Sequence, residues 1–220
     1  MSSFPTEVAF TAAVKAEQTR LGSRENYARW EQKRGFGETI TPDLAAFVAE
    51  RGSFYLGTAS ADGRPYIQHR GGPPGFLKVL DERTLAFADF AGNRQYISTG
   101  NLSENAQAFI FLMDYTNQRR IKIWGRAEVV DEDTELLEEL IDSAYGGRAE
   151  RVIRFRVEAW DANCRQHIPR LVPAEDAADV GELLSRITEL EAEVTALRQR
   201  LRGRDAEPEG AQAAPEVVFA

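Results

Sequence analysis

The spacing of apolar positions changes character three times along the chain. Between residues 8 and 33, Val8, Phe10, Val14, Leu21, Tyr27 and Trp30 are spread among many charges. That is a helical rhythm, interrupted near Gly22-Ser23. Thr41-Pro42 reads as an N-cap followed by proline at the first helical position, opening a short helix that ends near Gly52. Residues 1–52 are therefore predicted to form an N-terminal helical wrap.

From Phe54 the period shortens. Runs at 54–60, 66–70, 76–80 and 84–90 have strand character, the first two joined by the turn Asp62-Gly63-Arg64-Pro65. A helix is predicted from Asn93 to about Asn105. Phe109-Ile110-Phe111-Leu112-Met113 has the continuous apolar character of a strand buried on both faces. In 119–130, Ile121, Ile123, Gly125, Ala127 and Val129 alternate with polar or amphipathic residues, a period of two with one face buried. Residues 152–160 repeat that period, with Ile153, Phe155, Val157 and Ala159 on one face, and Leu136, Leu137, Leu140, Ile141 and Tyr145 between them sit at helical spacing. About seven short strands with few helices predict a mainly β, α+β domain over 53–172. Its sheet should close into an antiparallel barrel, because an open sheet leaves edges.

Beyond Pro173 the rhythm changes again. Val180, Leu183, Ile187, Leu190, Val194, Leu197 and Leu201 alternate steps of three and four over three heptads, the a/d seam of a C-terminal coiled-coil helix over 176–202. The tail 203–220 is rich in Pro, Gly, Ala and Glu, has little to bury, and is predicted to be disordered.

Composition narrows the function classes. The 220 residues are 43% hydrophobic with a formal net charge of -8, which repels phosphate backbones and anionic lipid, so neither a nucleic-acid nor a membrane partner is expected. No uninterrupted apolar stretch approaches the roughly 20 residues of a bilayer span. The single cysteine, Cys164, can form no intramolecular disulfide, and the Met-Ser-Ser-Phe-Pro start lacks a secretory pattern, so the expected compartment is the cytoplasm.

Two stretches carry candidate chemistry. In Phe87-Ala88-Asp89-Phe90-Ala91-Gly92-Asn93-Arg94-Gln95 a strand ends in a glycine turn before a helix. Asn93 can cap that helix, and Arg94 can add a bidentate fork to an anion at its unpaired N–H groups. The alternative is an ordinary capped helix with a surface arginine. In Tyr66-Ile67-Gln68-His69-Arg70-Gly71-Gly72-Pro73-Pro74-Gly75 polar side chains end a strand and glycines bring backbone close to something. The alternative there is a glycine-rich hairpin loop with a structural or surface His69. Cys164 and His167 stand in a C-x-x-H arrangement, but zinc needs about four ligands and His69 is the only other histidine, so no metal site is expected.

Taken together, Asp62-Gly63-Arg64-Pro65-Tyr66, the polar strand end 68–70, the turn 89–95, Asn105 before a buried strand, and Arg119-Arg120-Ile121-Lys122-Ile123-Trp124-Gly125-Arg126-Ala127-Glu128 resemble the pyridoxamine 5'-phosphate oxidase-like FMN-binding split-barrel family over about residues 40–170. Gly92-Asn93-Arg94 through Asn101-Leu102, Cys164 and Gln166-His167-Ile168 resemble its predicted flavin-nucleotide-binding branch in particular. The resemblance implies FMN at the interface of a homodimer. The phosphate would be held by the turn of Asp89, Phe90, Asn93, Arg94 and Gln95, and the ring by the strand end of Gln68, His69, Arg70 and Gly71. Arg120 stands where the oxidases have a flavin-contacting glutamine, Gln95 replaces their usual lysine, and Trp160 could shield the ring.

The oxidases' substrate machinery does not carry over. Where they have a basic, hydroxyl-bearing helix, residues 131–142 here are Asp-Glu-Asp-Thr-Glu-Leu-Leu-Glu-Glu-Leu-Ile-Asp, which would repel a substrate phosphate, and their terminal Arg-Leu-His signature is missing. Vitamin B6 oxidation is not expected. The resemblance instead implies an FMN-dependent oxidoreductase of unknown substrate, with NADH or NADPH as a candidate electron donor. The rival readings are a non-catalytic flavin or electron carrier, or a split barrel holding haem through His69 or His167.

Overall fold

The computed structural model describes residues 4–131, 133–163, 165–172 and 174–204, and the chain divides into two compact units between Arg170 and Leu171. Cys164 and the tail from 205, with the expectations attached to them, lie outside the described residues.

In the first unit a single 3-10 turn, Pro5–Val8, leads into α1 (Ala12–Arg20) and α2 (Arg24–Lys33). Thr11 caps α1 by accepting from the Val14 N–H at 3.3 Å, and Gly22, at φ 76°, makes the break between the helices. Their charge-rich sequences leave few apolar groups to hold them down, and an aromatic chain does it. Phe10 meets Tyr27 and Phe36 at 5.4 and 5.6 Å, and Phe36 stacks on Trp124 of the sheet at 5.0 Å. A buried polar cluster ties the turn to α2, with Thr6 donating to Glu31 at 2.6 Å and Arg24 paired to the same carboxylate. Burial raises the Glu31 carboxyl, but these bonds outweigh it and hold the group below its ordinary value. α3 (Pro42–Ala49) starts as its sequence indicates, Thr41 accepting from the Leu44 N–H at 3.2 Å, and drives Leu44, Phe47 and Val48 into the core.

Seven strands follow: β1 (Ser53–Ala59), β2 (Pro65–Gly71), β3 (Lys78–Asp81), β4 (Thr84–Phe90), β5 (Gln107–Asp114), β6 (Arg119–Val130) and β7 (Ala149–Asn163). Every pairing is antiparallel, in the order β2-β1-β5-β6-β7-β4-β3. The fold is a mixed α+β split β-barrel. The sequence reading expected a sheet closed by hydrogen bonds, and it is not: β2 and β3 each have one neighbour and are edges. The segment between them takes over the task of closure by turning Phe76 and Leu77 into the core, where Phe76 stacks on Phe54 at 5.4 Å. The third strand therefore begins only at Lys78.

Three further details depart from the periodicity. β5 is buried on one face only. Ile110 and Leu112 are fully inside, whereas Phe109, Phe111 and Met113 are partly open on the outer face of the sheet. Opposite the β6 step Trp124–Gly125 the register of β7 slips by one residue, so that Glu158 is unpaired and Ala159 lies opposite Trp124 rather than in phase with Val157. Ala159 is nonetheless buried, because the N-terminal segment crosses that face and Gly37 bridges Trp160. α5 (Thr134–Leu140), capped by Asp133, stops short of Tyr145, which packs on Phe90 at 5.0 Å.

Among its described residues the second unit contains one helix, α6 (Ala174–Arg204). Among the described residues no helix is long and apolar enough to cross a membrane.

Candidate functional site

The ends of β2 and β4 come together beside the turn that precedes α4 (Ile97–Glu104). α4 begins four residues later than the sequence reading expected, so Asn93 is not its cap. Its side-chain oxygen accepts from the Gln95 N–H at 3.2 Å and closes an Asx turn inside residues 91–96. Arg94 and Tyr96 follow with φ 58° and 53°, left-handed conformations that cost energy for non-glycine residues and mark a shape imposed by its surroundings. The first N–H groups of α4 have no intrahelical partner and open onto this turn.

Three hydrogen bonds fix α4 against the sheet. Ser98 donates to Gln68 of β2 at 2.7 Å, Asn101 to Thr58 of β1 at 3.0 Å, and Asn105 to the Ser60 carbonyl at 3.4 Å. The result is a shallow cleft of about 50 Å³. Gln68, Arg70, Asp89, Phe90, Asn93, Arg94 and Gln95 all line it. Gly92, Tyr96, Ser98, Thr99 and Glu150 complete the lining, and Arg151 backs it with its guanidinium over the Tyr96 ring at 5.2 Å.

Its electrostatics are built from arginine. Arg70 pairs with Asp89, and Arg151 reaches the other oxygen of that carboxylate at 3.8 Å. Glu150 takes Arg148 at 2.9 Å, Arg151 at 3.3 Å and the exposed Arg94 at 4.0 Å. Partial desolvation raises the Glu150 carboxyl, but the bond and charge of Arg148 and the charges of Arg151 and Arg94 keep it below its ordinary value. Four guanidinium groups thus face Asp89 and Glu150, with Asp131 at the exposed edge of Arg151. The Nε atoms of Arg70 and Arg151 are buried and have no hydrogen-bond partner, so each has an unused donor. Such an arrangement can hold an anion.

The remaining sequence candidates lie elsewhere. His69 points to the opposite face of β2 and meets the Tyr55 ring edge-on at 5.6 Å, because side chains alternate along a strand. Gly71 pairs with Ser53 at the strand end. Arg120 lies in an open groove of about 1120 Å³ on the outer face of the sheet, walled by Tyr55, Ile67, Phe109, Phe111, Met113 and Trp124, and its Nε is also buried without a partner. His167 lines the same groove. Trp160 lines neither space: its indole donates to the Thr39 carbonyl at 2.8 Å and packs where Gly37 leaves room, a Cβ there falling 2.3 Å from the ring. Glu150, Arg151 and Ser98 escaped the sequence reading, which began the last strand at 152 and placed a helix over 93–105.

The family model described as pyridoxamine 5'-phosphate oxidase matches residues 40–164. The chain belongs to the pyridoxamine 5'-phosphate oxidase family. No curated protein sequence matches it. Among solved structures, HupZ of Group A Streptococcus is 18% identical with a TM-score of 0.47, covering 60% of this chain and 99% of its own. A putative pyridoxamine 5'-phosphate oxidase of Lactobacillus delbrueckii is 17% identical (TM-score 0.43; 57% of this chain and 99% of that one). An FMN-binding protein of Syntrophomonas wolfei is 13% identical (TM-score 0.44; 68% and 97%). The match to the pyridoxamine 5'-phosphate oxidase model includes β2, β4, the turn before α4, α4 itself and Glu150, the pieces that line the cleft.

Proposed function

We propose that the chain binds FMN, with the phosphate in the cleft between β2, β4 and α4, and acts as an FMN-dependent oxidoreductase. The observation that carries this reading is the convergence of Gln68, Arg70, Asp89, Phe90, Asn93, Arg94 and Gln95 on one cleft beside a buried Arg70 Nε without an acceptor. A phosphate supplies acceptor oxygens for that donor, for the fork of Arg94 and for the open N–H groups of α4. Asp89 and Glu150 hold the arginines in place.

When bound, FMN supplies the hydride or electron transfer; the chain supplies binding, orientation and charge. The cleft is too small for the whole cofactor, so the ring extends beyond it. In this reading a second copy of the chain covers the apolar outer face around Phe109, Phe111 and Met113, and the flavin lies at that interface. Arg120, a cation in an apolar groove, favours the anionic reduced ring. The acidic α5 argues against a phosphorylated substrate at that helix.

The test is the absorption spectrum of purified protein and the mass of the ligand it releases on denaturation. Blue and near-ultraviolet flavin bands with the mass of FMN support the proposal, and rapid NADH or NADPH oxidation then separates enzyme from carrier. A strong Soret band, or failure to take up added FMN, overturns it.

A further inference from the structure

On the outer face of the sheet, away from the cleft, one cross-strand row runs over four strands. Thr84 of β4 lies opposite Arg156 of β7, Arg156 opposite Arg126 of β6, and Arg126 opposite Gln107 of β5. Directly opposed residues have their Cα atoms about 5 Å apart, so two guanidinium groups emerge side by side. Like charges in that relation destabilise a sheet. Among the described residues neither arginine has an ion pair or a side-chain hydrogen bond.

The neighbouring acids do not relieve the pair. Glu128 is taken by Arg154 at 3.3 Å, which also reaches Asp133 at 3.4 Å. Asp81 accepts from the Arg83 and Thr84 backbone N–H groups and from the Thr84 hydroxyl; these bonds hold its carboxyl below the ordinary value, and Arg156 acts on it only through charge at a distance. The row faces a groove of about 310 Å³ lined by the small residues Thr84, Ala106 and Ala127, by Arg126, Arg154 and Arg156, and by one carboxylate, Glu128, which Arg154 neutralises. That volume falls in the range of small-molecule sites. A chain of net charge -8 has thus placed two cations without an ion pair, Arg126 and Arg156, over a recess.

We propose that Arg126 and Arg156 form a second anion site, which takes the phosphate group of a small molecule. Two planar forks about one strand spacing apart can each donate to a different pair of phosphate oxygens, and the bound dianion removes the repulsion between them. Arg154, held by Glu128 and Asp133, flanks the recess as a third donor.

The experiment titrates inorganic pyrophosphate by calorimetry into the full-length chain, the R126Q/R156Q variant and the R94A variant. Binding should weaken at least tenfold in R126Q/R156Q and persist in R94A. Thermal melts without anion should show R126Q/R156Q folded and no less stable than the parent, since it removes a like-charge pair. FMN titration of the same variant should be unaffected, so failure of the flavin reading leaves this test intact. Equal pyrophosphate affinity in R126Q/R156Q, loss of binding in R94A alone, or no binding heat in any chain overturns the proposal.

Discussion

Arg70 of β2, one edge of the sheet, and Asp89 of β4, the neighbour of the other edge strand β3, form an ion pair between strands that share no backbone hydrogen bonds. Both side chains are about nine-tenths buried, at 11% and 9% exposure, and Arg151 shares the carboxylate. Replacing Asp89 by Ala leaves two buried guanidinium groups without their common counter-charge. It should lower unfolding stability by about 3 kcal/mol, read from urea denaturation. A change under about 0.5 kcal/mol, the level of an ordinary surface substitution, would show that the pair does not hold the split side together.

Arg94 is the opposite case. Its side chain is 59% exposed and its one ion pair, to Glu150, is 4.0 Å long, so Arg94→Ala should leave thermal unfolding unchanged. FMN affinity should fall by about 1.5–3 kcal/mol, the worth of a hydrogen bond to a charged group. Flavin titration checks it, and unchanged affinity would remove Arg94 from the phosphate site.

The sequence displays what is local and periodic. Thr41-Pro42 as a helix start, the inward face of β6, and the candidate strand end and turn were all legible, because capping chemistry and a period of two need only neighbouring residues. Long-range packing was not. How far Phe109 and Phe111 are covered depends on what packs over the outer face, such as Trp124 against Phe109, and not on the period of β5 itself. The phase of Ala159 depends on a bulge set by β6. Glu150 joins the cleft only because β7 pairs with β4. Trp160 reads as a candidate ring shield until Gly37, 123 residues earlier in the sequence, is seen to hold it.

That bulge rests on Gly125. A Cβ at this position would fall 2.1 Å from the Arg156 carbonyl oxygen and 2.6 Å from the Phe155 ring, both firmly packed. Gly125→Ala should therefore force the β6–β7 pairing apart and cost about 3 kcal/mol, at the upper end for overpacking. Thermal melts followed by circular dichroism test it, and a midpoint equal to the parent's would show that the bulge relaxes freely.

Asp114 gives a pH dependence of stability. Burial raises its carboxyl, but the Asn117 side chain and backbone donate to it at 2.9 and 3.0 Å and Arg51 lies at 3.3 Å, so the net shift is downward. The folded group holds its proton less tightly than the unfolded one. Its stabilisation is therefore complete above the usual aspartate range and is lost as pH falls through the folded value. Urea midpoints should drop more steeply below about pH 4 in the parent than in Asp114→Asn. Parallel curves would exclude this carboxyl as a source of acid sensitivity.

Assembly through α6 can be argued from its own surface. With Val180, Ile187, Val194 and Leu201 at a and Leu183, Leu190 and Leu197 at d, the seam has mostly β-branched residues at a and leucine at d, the combination that favours a parallel two-stranded coil. Leu183, Ile187, Leu190, Val194 and Leu197 are 43–63% exposed on the single helix, an apolar stripe that water would otherwise wet. In the paired arrangement Arg186 meets Glu191 of the second helix and Glu193 meets Arg198, both attractive, although Arg186 already has Glu189 within its own helix at 2.8 Å. Leu184 at an e position, 58% exposed, widens the stripe and offers the alternative of packing on a broader surface. Three heptads make a short coil, so a paired α6 would raise the effective concentration of one barrel near another rather than hold two copies together alone. A chain ending at Val172 should dissociate at higher protein concentration than the full-length chain in sedimentation, with the barrel's circular dichroism retained. Identical dissociation of the two would show that α6 is not an assembly element.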